Sequence, residues 1–132
     1  MELADFVAHA VRVPFVDRGR GFRGWDCWGL VVAAYREVLG AELPSMVYRA
    51  TAEPADDLDR VVHKRLPSWS RVDGLYRPMD LAVYVTSGAV SHVALIIDPL
   101  RALHAHEGIG TVVEPLRSSV WSRCLEGVYR AA

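Results

Sequence analysis

Two cysteines and five histidines are the groups in this 132-residue chain that could carry nucleophilic or metal chemistry. Cys27 stands in Gly24-Trp25-Asp26-Cys27-Trp28-Gly29-Leu30, where a turn gives way to a helix. Asp26 is a good N-cap, because its carboxylate can accept the free N–H groups of a first turn. Cys27 would then open the helix and meet those N–H groups and the positive end of the dipole, both of which favour a thiolate. A nucleophilic thiol needs a base, and the base needs a group that orients it. His92 and His104 are the candidates: they lie on strands that a turn at Asp98-Pro99-Leu100 would set face to face. His106 shares the face of His104 by period-2 alternation, and the cysteine helix is expected to pack on that face. Two plainer accounts stand beside this one. Cys27 can be a packed core residue and His92 a solvated strand end. Alternatively, His104-x-His106 with Cys27 and His92 can supply four zinc ligands.

The elements that must position these groups follow from periodicity. Leu3, Phe6, Val7, Ala10 and Val11 form one face of a first helix that Pro14 stops. Residues 15–24 read as a loop with three glycines and with Arg18, Arg20 and Arg23, which are either scattered charge on a solvated loop or groups that draw an acidic substrate and favour the thiolate. Leu30, Val31, Ala34, Tyr35 and Val38 continue the cysteine helix to a cap at Gly40. Residues 41–53 read as loop. A third helix starts at Pro54, carries Leu58, Val61, Val62 and Leu66 inward, leaves His63 and Lys64 wet, and closes at Pro67. Short strands follow at 69–72, 80–85, 91–97, 102–106, 111–114 and 128–130, with a helical turn at 118–123. Short connections predict an antiparallel β-meander, and helices before strands predict an α+β fold in a single domain, 1–132.

Composition narrows the function classes. The formal net charge is −1, without the basic excess of a nucleic-acid binder. No apolar run reaches the ~18 residues of a membrane span, so no membrane insertion is expected. The acidic start, Glu2 and Asp5, does not read as a signal peptide. Cys124 reads as a structural residue, and no disulfide is needed at this size.

The ordered set of motifs resembles the NlpC/P60 cysteine peptidases. Asp26-Cys27-Trp28-Gly29-Leu30-Val31 is similar to their nucleophile motif, Ser91-His92-Val93-Ala94-Leu95 to the base motif, and Leu103-His104-Ala105 to the segment whose polar residue orients the base. Pro78-Met79-Asp80-Leu81 is similar to their Pro-Gly-Asp-Leu strand entry, with Met79 where glycine is usual. The resemblance implies a papain-like fold, with Cys27 as nucleophile, His92 as base and acid, and His104 orienting His92. His106 and Asp26 are auxiliary, and no metal or cofactor is implied. It also implies a peptidoglycan stem peptide as substrate, with Arg18, Arg20, Arg23 and Ser91 as candidate contacts. Phe15 stands near where many members have an oxyanion tyrosine. The Pro14-Phe15, Gly19-Arg20 and Asp26 to Leu30 pattern is similar to the phage-tail and gene-transfer-agent branch. That implies tail hub or tail-tip partners, and action in the bacterial periplasm and cell wall without a signal peptide. The same residues also suit a papain-like amidase or acyltransferase on another substrate, or a structural tail-tip protein with weak or no hydrolysis.

Overall fold

The computed structural model describes residues 1–44, 54–65, 68–117 and 121–131. Helix α1 spans Leu3–Ala10, and a small antiparallel ribbon pairs β1 (Arg20–Gly21) with β2 (Gly24–Trp25). Helix α2 covers Cys27–Ala34 and runs into a π-helical turn, Tyr35–Leu39; α3 covers Pro54–Arg65. The main sheet comprises β3 (Trp69–Arg71), β4 (Leu81–Thr86), β5 (Ala89–Asp98), β6 (Arg101–His106), β7 (Gly110–Pro115) and β8 (Leu125–Ala131). A 3-10 turn at Ser122–Cys124 precedes β8. Among the described residues, no helix is long and apolar enough to cross a membrane. The expected ends of α3 at Leu66 and Pro67, the loop residues 45–53, and positions 118–120 of the expected helical turn lie outside the described residues.

The architecture is α+β, with an antiparallel sheet in the order β3-β8-β4-β5-β6-β7. Only β4 to β7 follow one another as a meander. The last strand returns to lie between β3 and β4, where a plain meander would pair those two. Residues 72–80 make the connection from β3 to β4 too long for a tight hairpin, which leaves the outer edge of β4 open for β8.

Apolar residues cover both faces of the sheet. Leu81, Val83, Val93, Leu95, Leu103 and Ala105 join the helices in one core. Ala82, Tyr84, Ala94, Ile96, Ala102, Leu116 and Val128 form a second core on the far side. The alternation is that of pleated strands with both faces buried. Helix α2 is the centre of the first core, with every residue from Trp28 to Ala34 buried, so it has no wet face. The π-helical turn ends at Gly40, whose φ of 64° suits a residue without a side chain.

Two polar clamps fix the frame. Asp80 is buried, and Arg130 donates to both its oxygens, at 2.8 and 2.7 Å. Met79 beside it holds a φ of 76°, the left-handed conformation that glycine would adopt freely. The Tyr35 hydroxyl donates to the Met79 carbonyl at 2.6 Å, which ties this turn to the end of the central helix.

Candidate active site

Asp26 caps α2 as its sequence requires: the Gly29 N–H donates to Oδ1 at 2.8 Å, and the residue is extended. Arg20 Nη1 donates to the same oxygen at 2.8 Å, and the Arg18 N–H reaches Oδ2 at 3.2 Å. The ribbon β1–β2 is therefore bound to the first turn of α2 through one carboxylate. Cys27 follows, half-buried, and lines a cleft of about 410 Å³ with Phe15, Ser91, His92, His106 and Trp121.

His92, His104 and His106 gather as expected, and all three are buried. His92 Nε2 and His104 Nδ1 are 2.9 Å apart, and the Nε2 atoms of His104 and His106 are 3.2 Å apart. Strand alternation puts the three rings with Ala94 and Ala102, on the sheet face away from α2. This corrects the expectation that the cysteine helix packs on their face. Thiol and imidazole line one cleft because the sheet opens between β5 and β6 at that end. Pairing of β5 with β6 joins Leu95 to Leu103 and continues towards Asp98 and Arg101, but does not extend back towards His92 and His106. In the opening, the Val93 N–H is directed at the Cys27 sulfur, as is the Trp28 N–H. Cleft residues come accordingly from both faces, Ser91 and Ala105 from one, His92 and His106 from the other.

The electrostatics correct a second expectation. Burial pushes the Cys27 thiol up to about 12, and Asp26 adds to this; the Val93 and Trp28 N–H groups and Arg20 oppose it but do not prevail. The helix terminus therefore does not leave a thiolate at rest. Burial, then His104 and His106, hold His92 well below the ordinary histidine range. Burial lowers His104 to about 4, against the pull of Glu114. The resting pair is a neutral thiol and a neutral imidazole. Such a pair reacts by proton transfer during attack.

Acid must charge these buried rings to protonate them, which gives a stability prediction. Unfolded histidine titrates near 6.5, so between about pH 6.5 and about 4 the unfolded chain binds protons that the folded chain refuses. Stability should be fully present above that window and fall by about 3 kcal/mol across it from His104 alone. Urea unfolding at a series of pH values measures this, with His104→Asn expected to flatten the slope. A wild-type midpoint that does not fall between about pH 6.5 and 4 would count against buried neutral rings.

The loop arginines lie elsewhere than the cleft lining. Arg20 is engaged with Asp26, while Arg18 and Arg23 are exposed. The charged residues on the cleft lining are acidic: Asp17, Asp26 and Glu107. Sequence reasoning missed two neighbours of the histidines. Trp121 stacks on His92 with centroids 4.5 Å apart and donates its indole N–H to His106 Nδ1 at 3.2 Å. Glu114 Oε1 lies 3.1 Å from His106 Nε2 and 3.6 Å from His104 Nε2. Ala102 faces Glu114 across the β6–β7 pair, so Glu114 is a diagonal neighbour of His104. Period-2 alternation in β7 would have found it once the register was known.

The three rings place one ligating nitrogen each within 4.8 Å of one another, a spacing that a divalent ion can bridge. The indole N–H speaks for a proton network instead. A singly protonated His106 that accepts at Nδ1 carries its proton on Nε2, which then has no lone pair for a metal.

The family model described as the NlpC/P60 family matches residues 12–130. A protein similar to lipoprotein of the NLP/P60 family from Staphylococcus aureus superposes with a TM-score of 0.70 at 23% identity. An NlpC/P60 family protein from Bacillus cereus gives 0.69 at 19%. Each match covers 97% of this chain and respectively 39% and 40% of the other, so this chain spans about two fifths of their length. The NlpC/P60 domain of the peptidoglycan hydrolase SagA gives 0.62 at 20% identity, covering 98% of this chain and 97% of that one. No curated protein matches the chain significantly.

Proposed function

The chain belongs to the NlpC/P60 family, and from that premise we propose that it is a cysteine peptidase that hydrolyses peptidoglycan stem peptides. The observation that carries the reading is the junction of Cys27 and His92 at one cleft, with Nε2 of His92 held 2.9 Å from His104. One structural neighbour is the NlpC/P60 domain of the peptidoglycan hydrolase SagA, which supports the choice of substrate.

The steps follow from the geometry. Nε2 of His92 is occupied by His104, so Nδ1 is the nitrogen left for the thiol. Sγ of Cys27 attacks the amide carbon while its proton passes to Nδ1. The tetrahedral oxyanion is stabilised by backbone N–H groups, first that of Cys27 at the helix start, since Phe15 has no hydroxyl to offer. The carbon–nitrogen bond breaks as His92 returns the proton to the leaving amine. Water, activated by the same ring, then hydrolyses the thioester. By family resemblance the bond lies beside a D-amino acid centre. The residues around Cys27 support a role in a phage tail or gene-transfer particle, with tail hub or tail-tip proteins as partners, locally opening the cell wall during DNA delivery.

Digestion of purified peptidoglycan, with products identified by mass spectrometry, tests the reading. New stem-peptide termini should form with wild type and not with Cys27→Ala. If an active preparation of the wild type yields none, the substrate is a different amide. Detection of the chain in purified particles by proteomics tests the tail assignment.

A further inference from the structure

We infer that Glu114 is a positioning residue that sets the tautomer of His92 through His104, and so keeps Nδ1 of His92, the nitrogen that His104 does not engage, free to accept a proton. The inference rests on the proposed cysteine chemistry but not on the identity of the substrate.

The indole nitrogen of Trp121 can only donate. It donates to His106 Nδ1 at 3.2 Å, so a neutral His106 carries its proton on Nε2. That N–H has two acceptors in range, Glu114 Oε1 at 3.1 Å and His104 Nε2 at 3.2 Å. Two networks result, and they treat the 3.2 Å contact between the Nε2 atoms of His104 and His106 differently. The second makes it a hydrogen bond, whereas the first sets two N–H groups side by side and needs the carboxylate to hold them. In the first, His106 and His104 both direct their Nε2 protons at Glu114. His104 Nδ1 is then bare and accepts from the Nε2–H of His92, which leaves Nδ1 of His92 as a lone pair. In the second, His106 donates to His104 Nε2, His104 donates from Nδ1 to His92, and His92 carries its proton on Nδ1. Only the first leaves His92 a lone pair on Nδ1, the nitrogen that His104 does not engage.

Glu114 decides between them. An ionised carboxylate offers lone pairs alone. In the second network its Oε1 faces the bare Nε2 of His104 at 3.6 Å, lone pair against lone pair. In the first it faces an N–H there. At that distance the contact is electrostatic rather than a full hydrogen bond, but its sign is fixed, and the side chain is only 28% exposed. The same charge supports the imidazolium that His92 becomes during attack, as the acid of a triad does.

Glu114→Gln is the sharpest test, because it keeps the shape and reverses the bias: the amide can donate to His104 Nε2 and favour the second network. In a Cys124→Ser background at about pH 7.5, two-bond proton–nitrogen NMR should show His92 protonated on Nε2 in the wild type. In Glu114→Gln it should shift towards Nδ1. The alkylation rate of Cys27 by iodoacetamide should fall about 10- to 100-fold. Glu114→Ala removes the bias and should give a mixed tautomer, and Glu114→Asp should partly restore the wild-type state. On peptidoglycan, kcat should fall with KM within about twofold. An unchanged tautomer overturns the inference, whether or not the rate falls. Tautomer and alkylation shifts without peptidoglycan cleavage uphold it and reject the substrate reading instead.

Discussion

His92→Ala should lower kcat on a cleaved substrate by about 10³-fold, and wild-type activity should stay level from about pH 6.5 to about 9. Both expectations come from the same pair of shifts. Burial pushes the Cys27 thiol up to about 12, so no thiolate accumulates near neutrality. Its proton must leave during attack, and His92 is the base placed to take it. His92 is held well below the ordinary histidine range, so it remains an unprotonated base well into acid. The acid limb of kcat/KM therefore belongs below pH 6.5, and no alkaline gain should appear until the thiol itself titrates. A preformed thiolate–imidazolium pair would behave differently: its acid limb would follow the thiol, and loss of the histidine would leave a reactive sulfur behind. Rates of peptidoglycan cleavage and of Cys27 alkylation, measured across pH for both proteins, separate the cases. A His92→Ala protein that retains more than about a tenth of the wild-type rate would reject the base assignment, as would a limb near neutral pH.

The error about the thiol shows what the sequence can and cannot convey. Asp26 as a cap was legible because capping is local: a short carboxylate residue before an apolar helix has few other uses, and the bond to the Gly29 N–H is there. The thiol's protonation is not local. It depends on how much protein surrounds the sulfur, set against N–H groups such as that of Val93, 66 residues along the chain (93 − 27), which pulls the other way. Alternation put His104 and His106 on one face without saying which face would meet α2. Both faces are apolar, Leu103 and Ala105 on one side and Ala102 on the other, so nothing in the pattern broke the tie. The two-residue strands of the Arg20–Trp25 ribbon are too short to have a period, and residues 15–24 read as loop for that reason. The return of β8 between β3 and β4 is a matter of which edge is free, and alternation does not carry that. Trp121 and Glu114 were invisible as site residues because each is ordinary in its own segment. Only their register against His92, His104 and His106 gives them a role.

The second large effect concerns Gly29, a residue that helix propensity alone would replace. Alanine in a helix interior is better than glycine by about 1 kcal/mol, so Gly29→Ala in α2 ought to stabilise. The opposite is expected, by about 3 kcal/mol or more. A Cβ at Gly29 would lie 2.1 Å from the Gly19 carbonyl oxygen, 3.0 Å from Trp25 Cβ and 3.2 Å from Arg20 Nη1. The nearest of these is backbone, held by the ribbon, and cannot swing aside as a side chain would. Trp25 is fully buried and donates to Thr111 at 2.8 Å, so it is anchored from the other side of the core. The ribbon must therefore lift from the first turn of α2. That movement separates Arg20 from Asp26 and loosens the cap on which Cys27 sits. Gly21 in the same ribbon provides the control: a Cβ there meets nothing within 4 Å, so Gly21→Ala should leave stability near wild type. Urea unfolding of the two variants, with the alkylation rate of Cys27 as a local readout, tests the argument. A Gly29→Ala protein as stable as Gly21→Ala would mean that the ribbon yields easily, and that the glycine beside the candidate nucleophile is not there for close packing.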